Sequence, residues 1–206
     1  MARPPDVELK AALLDKVVGY LAEHGIANVS LRPLAEAIGT SASSLVHHLG
    51  SKETLLTSAL QRATEMQEDV AAGWLSRNPS LTVSQWCRKW WTWINASPAN
   101  LALSRLGYEA AAIDATVTGL PSDVRADQIA VWTRQYENLF RRSGIDAETA
   151  GREAVLAKAM FTGLVLDLLA TGDRARLTSA LDYGLAQLER RMLDAIAMVT
   201  PPPISG

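Results

Sequence analysis

The sequence predicts an all-α protein of about nine helices. Apolar residues recur at spacings of three and four, and the period-two alternation of half-buried strands is hard to find. Alanine and leucine, both strong helix formers, are plentiful. Breaks fall at glycine, proline and clusters of small polar residues, as helix boundaries do.

Leu14, Val17, Val18 and Leu21 share one helical stripe, in a helix expected to start near Pro5 and Asp6 and to stop at Gly25. Ser30 is placed as the N-cap of a second helix. Pro33 still falls in that helix's first turn, where a missing N–H costs little, and Gly39 ends it. Leu34, Ala35 and Ile38 supply its apolar face. Ser41 caps a short third helix carrying Leu45 and Val46, and Ser51 caps a fourth with Leu55, Leu56, Ala59 and Leu60 facing inward. The stretch SRNPS at 76–80 interrupts the chain. Further helices are expected over 83–96, from 98 to about 117, from about 123 to 142, over 147–170 and over 174–198. The ending TPPPISG reads as a tail.

Composition excludes several classes of function. With 48% hydrophobic and 20% charged residues the chain has an ordinary globular make-up. A net charge of −2 argues against indiscriminate coating of nucleic acid, but not against a local basic patch. One cysteine, Cys87, permits no intrachain disulfide and no cysteine-rich metal site. The segment MARPPDVELK lacks an apolar h-region, so no secretory signal is expected. No apolar run is expected to reach the ~18 residues of a membrane span, since residues 161–170 are few and include Asp167. A cytoplasmic location is therefore expected. The three histidines, His24, His47 and His48, form no H-E-x-x-H or comparable metal set. No glycine-rich phosphate loop or nucleophile elbow is present, so neither cofactor nor enzymatic activity is expected.

The chemistry concentrates in GTSASSLVHHLGSKETLL, residues 39–56, which holds six serines and threonines, two adjacent histidines and Lys52. Helix, tight turn, helix over 30–49 is the helix-turn-helix layout, whose second helix enters the DNA major groove. Ala35 is small where two helices cross, and Gly39 permits the turn. Leu34, Ile38 and Leu45 close a small core against Leu14, Val18 and Leu21. Ala42, Ser43, Val46 and His47 are left pointing outward.

The segment VSLRPLAEAIGTSASSLVHHLGSKETLL resembles the N-terminal signature of TetR-type transcriptional repressors. The resemblance is carried by Ser30, Leu34-Ala35, Gly39, Ser44-Leu45, His48 and Ser51-Lys52-Glu53 before Leu55-Leu56, within residues 10–60. Two positions depart from the pattern: Val46 stands where the family usually has tyrosine, and Leu49 where it has another aromatic. The resemblance implies that Ser30, Thr40, Ser41, Ser44, His48 and Lys52 meet phosphates, and that Arg32, Ala42, Ser43, Val46 and His47 face base edges. Residues 1–52 hold five Lys and Arg against five Asp and Glu, so two copies would be needed for firm binding.

VSQWCRKWWTWI, residues 83–94, is the second unusual stretch. Trp86, Trp90 and Trp93 lie within about 60° of one another, with Arg88, Lys89 and Thr92 opposite. The stripe reads either as core or as the wall of an aromatic pocket. Met66, Val70, Tyr108, Trp132 and Tyr136 are the further candidates, and Asp167 is read either as a ligand contact or as paired at the rim. Residues 154–170 are apolar almost all round, which requires burial on two sides. Val155, Ala159, Gly163 and Leu166, with Leu181, Leu185, Leu188 and Met192, are the expected homodimer face, in a four-helix arrangement of two chains.

The expected layout is a reading domain over 1–52, an effector-binding and dimerisation domain over 53–200, and a tail at 201–206. The expected function is that of a dimeric repressor on a palindromic operator, released by a small apolar or aromatic effector. An activator or effector-free regulator, or a helical interaction protein that has lost DNA binding, stays open.

Overall fold

A computed structural model describes residues 4–27, 29–112 and 122–199. Among them are nine helices and no strand: α1 (Pro4–His24), α2 (Leu31–Ala37), α3 (Ala42–Leu49), α4 (Lys52–Arg77), α5 (Val83–Ile94), α6 (Pro98–Ala112), α7 (Ser122–Arg142), α8 (Ala147–Thr171) and α9 (Arg174–Val199). The expected extension of α6 to residue 117 and the tail at 201–206 lie outside the described residues.

Local chemistry accounts for the boundaries. Gly25, with φ +81°, ends α1, and its N–H reaches Leu21 O at 2.7 Å. At the end of α2 the Thr40 N–H bonds Ala35 O at 2.9 Å and the Gly39 N–H bonds Glu36 O at 3.2 Å. This pair of bonds around a left-handed Gly39 (φ +73°) is the Schellman arrangement. Ser41, Ser51 and Asp146 each cap the next helix, accepting from Ser44, Thr54 and Thr149 N–H groups at 3.1, 3.2 and 3.0 Å. Thr82 and Gln85 exchange bonds as a capping box ahead of α5, at 3.1 and 3.2 Å.

The chain divides into two compact units, with boundaries at 79/80, 92/93 and 129/130. The first holds α1–α4 and α6. Its core joins Leu13, Val17, Val18 and Leu21 of α1, Leu34 and Ala35 of α2, and Leu45 and Leu49 of α3. Leu55, Leu56, Ala59, Leu60 and Ala63 of α4 and Leu106 and Ala110 of α6 complete it. Leu14, expected in the core stripe, is only partly buried; Leu13 takes the inner place. The cluster does not close at residue 52, because the first turns of α4 complete it.

The second unit holds most of α5, the later part of α7, and α8 with α9. Trp91 reaches both long helices: its ring meets Phe161 at 6.2 Å, and its Nε1–H donates to Thr178 Oγ1 at 2.8 Å. Leu177, Leu181, Leu185 and Leu188 of α9 are 0–1% exposed, and Ala150, Ala154, Ala157, Phe161, Val165 and Leu168 form the buried side of α8. The expectation that Leu181, Leu185 and Leu188 present a face to a partner is thus corrected: the chain itself covers them. At Gly184 the Met160 side chain of α8 lies where a Cβ would stand, so a larger residue there would have to displace it.

Candidate nucleic-acid interface

Ser30 occupies the N-cap position of α2 but makes no side-chain capping bond. From there α2 runs to the Gly39 turn and α3 packs back on α2 and α4. Leu45 and Leu49 anchor α3 at 0% and 3% exposure. With those positions turned inward, helical geometry turns Ser43, Val46 and His47 outward, and all three are exposed. Val46 is 47% exposed, unusual for an aliphatic side chain this close to a packed core. His47 and His48 stand edge to face at 4.8 Å.

None of the eleven expected contact residues is buried. Ser30, Arg32, Ser41, Ser43, Val46 and His47 are exposed; Thr40, Ala42, Ser44, His48 and Lys52 are half-buried. Ser41 and Ser51 already spend a lone pair on their caps, yet their oxygens stay exposed. At the start of α4, Glu53 stands beside Lys52. Its carboxyl is held below the usual carboxylate range by its own backbone N–H first and the Ser51 hydroxyl second. The local field there is therefore that of a helix N-terminus with one cation and one anion. The surface offers hydroxyls, imidazoles, an aliphatic patch, one guanidinium and one ammonium, a set suited to hydrogen bonding with phosphates and base edges.

The aromatic candidates fall in different units. Met66, Val70, Trp93 and Tyr108 lie in the first and are half-buried. Trp86 and Trp90, at 0% and 5% exposure, belong to the core of the second, edge to face at 5.9 Å. Trp132 is half-buried and meets Trp90 at 5.3 Å. Tyr136 is buried and its hydroxyl accepts a bond from Cys87 Sγ at 3.5 Å. Asp167 forms an ion pair with Arg176 at 2.8 Å, and Arg176 and then Thr171 hold its carboxyl below the usual range. Asp167 is thus paired, as its rim reading expects. His24 also has a local role, stacked on Tyr20 at 4.1 Å with Nδ1 placed 2.9 Å from Tyr20 O. Among the described residues no group of three metal-ligating side chains converges.

Residues 13–59 match the family described as "Bacterial regulatory proteins, tetR family". Over these residues the chain carries the N-terminal domain of that family. The matched segment runs from Leu13 of α1 to Ala59 of α4, and so spans the helix-turn-helix, this family's DNA-binding domain. The chain is 33% identical over 84 residues to the HTH-type transcriptional regulatory protein RaaS of Mycobacterium tuberculosis. That stretch is 40% of this chain and 39% of RaaS. Two solved structures share the fold at a TM-score of 0.58. A TetR-family transcriptional regulator from Pectobacterium atrosepticum is 20% identical, with 93% of this chain and 97% of that one covered. The multidrug binding protein EbrR, complexed with imidazole, is also 20% identical, with 84% and 93% covered.

Two features escaped the sequence reading. Trp91 lies about 140° round the helix from Trp86 and is buried all the same, because α5 has core on more than one side. Arg105 and Glu109 are legible as an i,i+4 charge pair, but not as partners of a backbone some 83 residues away.

One helix passes a length-and-composition test for a membrane span, as the core helices of soluble proteins also do. α8 is 25 residues long, and an 18-residue window of it reaches a mean hydropathy of 1.7 with 28% of the window buried. By length and composition that suffices to cross a membrane. Its inner side packs in the second unit, while Val155 and Leu156 at 56% and Leu166 at 48% are exposed on the other.

Proposed function

We propose that this chain is a homodimeric transcriptional repressor that binds a palindromic DNA operator and is released by a small apolar or aromatic effector. The observation that carries the DNA-binding part is the exposure of Ser43, Val46 and His47 on α3 while Leu45 and Leu49 of the same helix are buried. A two-turn helix offering small and hydrogen-bonding groups, stiffly held from behind, is what a major groove admits. Arg32 supplies a bidentate contact to guanine, Val46 an aliphatic contact to a thymine methyl, and Lys52 with the α4 N-terminus a phosphate site.

The dimer is supported by the exposed stripe of Val155, Leu156, Ala159, Gly163 and Leu166 on α8. An apolar face of that length is rarely left to water. On α9 the exposed large apolar groups are Tyr183, Leu193 and Ile196, at 71%, 67% and 36%, and Met192 is half-buried. These side chains replace Leu181, Leu185 and Leu188 in the proposed interface. A second chain doubles the phosphate contacts of a head that is electrically neutral by itself. The effector part is supported by the aromatic cluster of Trp90 and Trp132 within the second unit. EbrR, which shares the fold, is named a multidrug binding protein.

The test is capture of duplexes from a random-sequence pool by the full chain, followed by a gel shift on the enriched sequence and on the chain's own upstream region. Enrichment of a palindrome with half-sites about 10–10.5 base pairs or a multiple apart is expected. A pool that stays random after repeated rounds contradicts the reading.

A further inference from the structure

The end of α1 is held by two side chains of α6, and nothing in the DNA-reading surface accounts for them. Arg105 Nη2 donates to Ala22 O at 2.8 Å and to Glu23 O at 3.4 Å. The Ile26 N–H, just past the Gly25 turn, donates to Glu109 Oε2 at 3.1 Å. Arg105 Nε and Glu109 Oε1 lie 3.0 Å apart. One ion pair thus serves both polarities of a helix end. The cation meets the carbonyls that the last turn leaves open, where the helix dipole is negative, and the carboxylate takes the first N–H beyond them.

The fit is close. φ at residue 25 is +81°, which favours glycine, and a Cβ there would come within 3.1 Å of Glu109 Oε2, so a side chain would have to push the carboxylate aside. Directly beneath, Leu106 and Ala110 are buried in the same cluster as Val17, Leu21 and Ile26. Arg105 and Glu109 themselves keep only 33% and 30% of their side-chain surface. Bonds from charged groups to backbone are about twice as strong as neutral ones. These two bridge some 83 residues of sequence. Five residues after Ile26 the chain enters α2, and α2 leads through Gly39 to α3. In chain order the end of α1 is thus followed closely by α2 and then by the reading helix.

We propose that Arg105 and Glu109 are positioning residues that lock the α1–α3 head onto α6 and so set which half-site spacing the DNA-bound protein accepts. The proposal rests on the DNA-binding reading above. A rigidly held head pays for a wrongly spaced half-site with strain, whereas a loosened head swivels to meet it. Loss of the latch therefore changes the dependence of affinity on spacing and not affinity alone.

The experiment uses the full-length chain and the duplex it selects from a random pool, with the centre lengthened or shortened by one base pair. Fluorescence anisotropy gives the affinity for each duplex, and a thermal melt accompanies each variant. Wild type is expected to prefer the selected spacing. In Glu109→Ala the preference over the altered spacings shrinks by roughly five- to tenfold. Glu109→Gln, which keeps an acceptor oxygen without the charge, falls between the two. Arg105→Lys behaves like Glu109→Gln, and these two milder variants decide the matter if Glu109→Ala does not fold. Lys52→Ala lowers affinity at every spacing alike. If the latch variants keep the wild-type ratio between spacings, whatever their absolute affinity or melting temperature, the proposal is overturned and the DNA reading survives. If wild type selects no duplex, both are overturned.

Discussion

Lys52 and Arg32 carry different kinds of information, and that difference is measurable. Lys52→Ala is expected to weaken binding to every duplex about equally and to reduce the salt slope by about 1, since it removes one phosphate contact. Arg32→Ala is expected to cost ~1–3 kcal/mol at particular base pairs and to relax preference there. Equal losses across a panel of single-base operator variants would remove Arg32 from its assigned role. Cys87 gives a prediction independent of DNA. Burial pushes its thiol from 9.0 up to about 12, and the bond to Tyr136 offsets this only in part. Because the folded value lies above the unfolded one, the stabilising contribution is fully present below pH 9 and is lost as pH rises towards 12, at ~1.4 kcal/mol per unit. Wild type should therefore lose stability relative to Cys87→Ala above pH 9 in denaturant titrations. The native thiol should also resist alkylation at pH 8 until the chain unfolds. Burial of this kind is legible in sequence only as a small apolar-compatible residue inside a tryptophan stripe; the depth of burial is not.

At the scale of elements, the boundaries of α2 and α3 were readable because they rest on local chemistry. Gly39 needs φ +73°, and Ser41 caps three residues ahead. Gly39→Ala is expected to cost about 1–2 kcal/mol and Ser41→Ala about 1 kcal/mol. Each should lower the melting temperature by a few degrees. A melting curve unmoved by Gly39→Ala would mean the Schellman turn is not held in solution. Faces of long helices were less readable. In α9, Leu181, Leu185 and Leu188 show an apolar stripe to any periodicity argument. The same stripe serves an inner core and an outer interface equally well, because hydrophobicity names no partner.

For the molecule as a whole, the interface proposal separates two kinds of leucine. Leu166→Lys, at a position 48% exposed, is expected to dissociate the dimer in sedimentation experiments while leaving each chain folded. Leu185→Ala, at 0% exposure, is expected to cost ~2–5 kcal/mol of stability whatever the oligomeric state. If Leu166→Lys leaves sedimentation unchanged, the α8 face is covered by something other than a second copy.

The sequence by itself determined the helical class, the helix order, the helix-turn-helix and, Ala42 apart, its outward-facing residues; Ala42 packs against the core. Each of these depends on spacing, capping and glycine conformation within a few residues of chain. Tertiary structure decided what no local pattern encodes. It put Leu181, Leu185 and Leu188 inside, bound Asp167 to Arg176, buried Trp91 against Phe161, and set Arg105 and Glu109 on the end of α1. Those outcomes depend on which distant surfaces meet. Apolar burial is non-directional, and a charge takes whichever partner the packed backbone brings within reach.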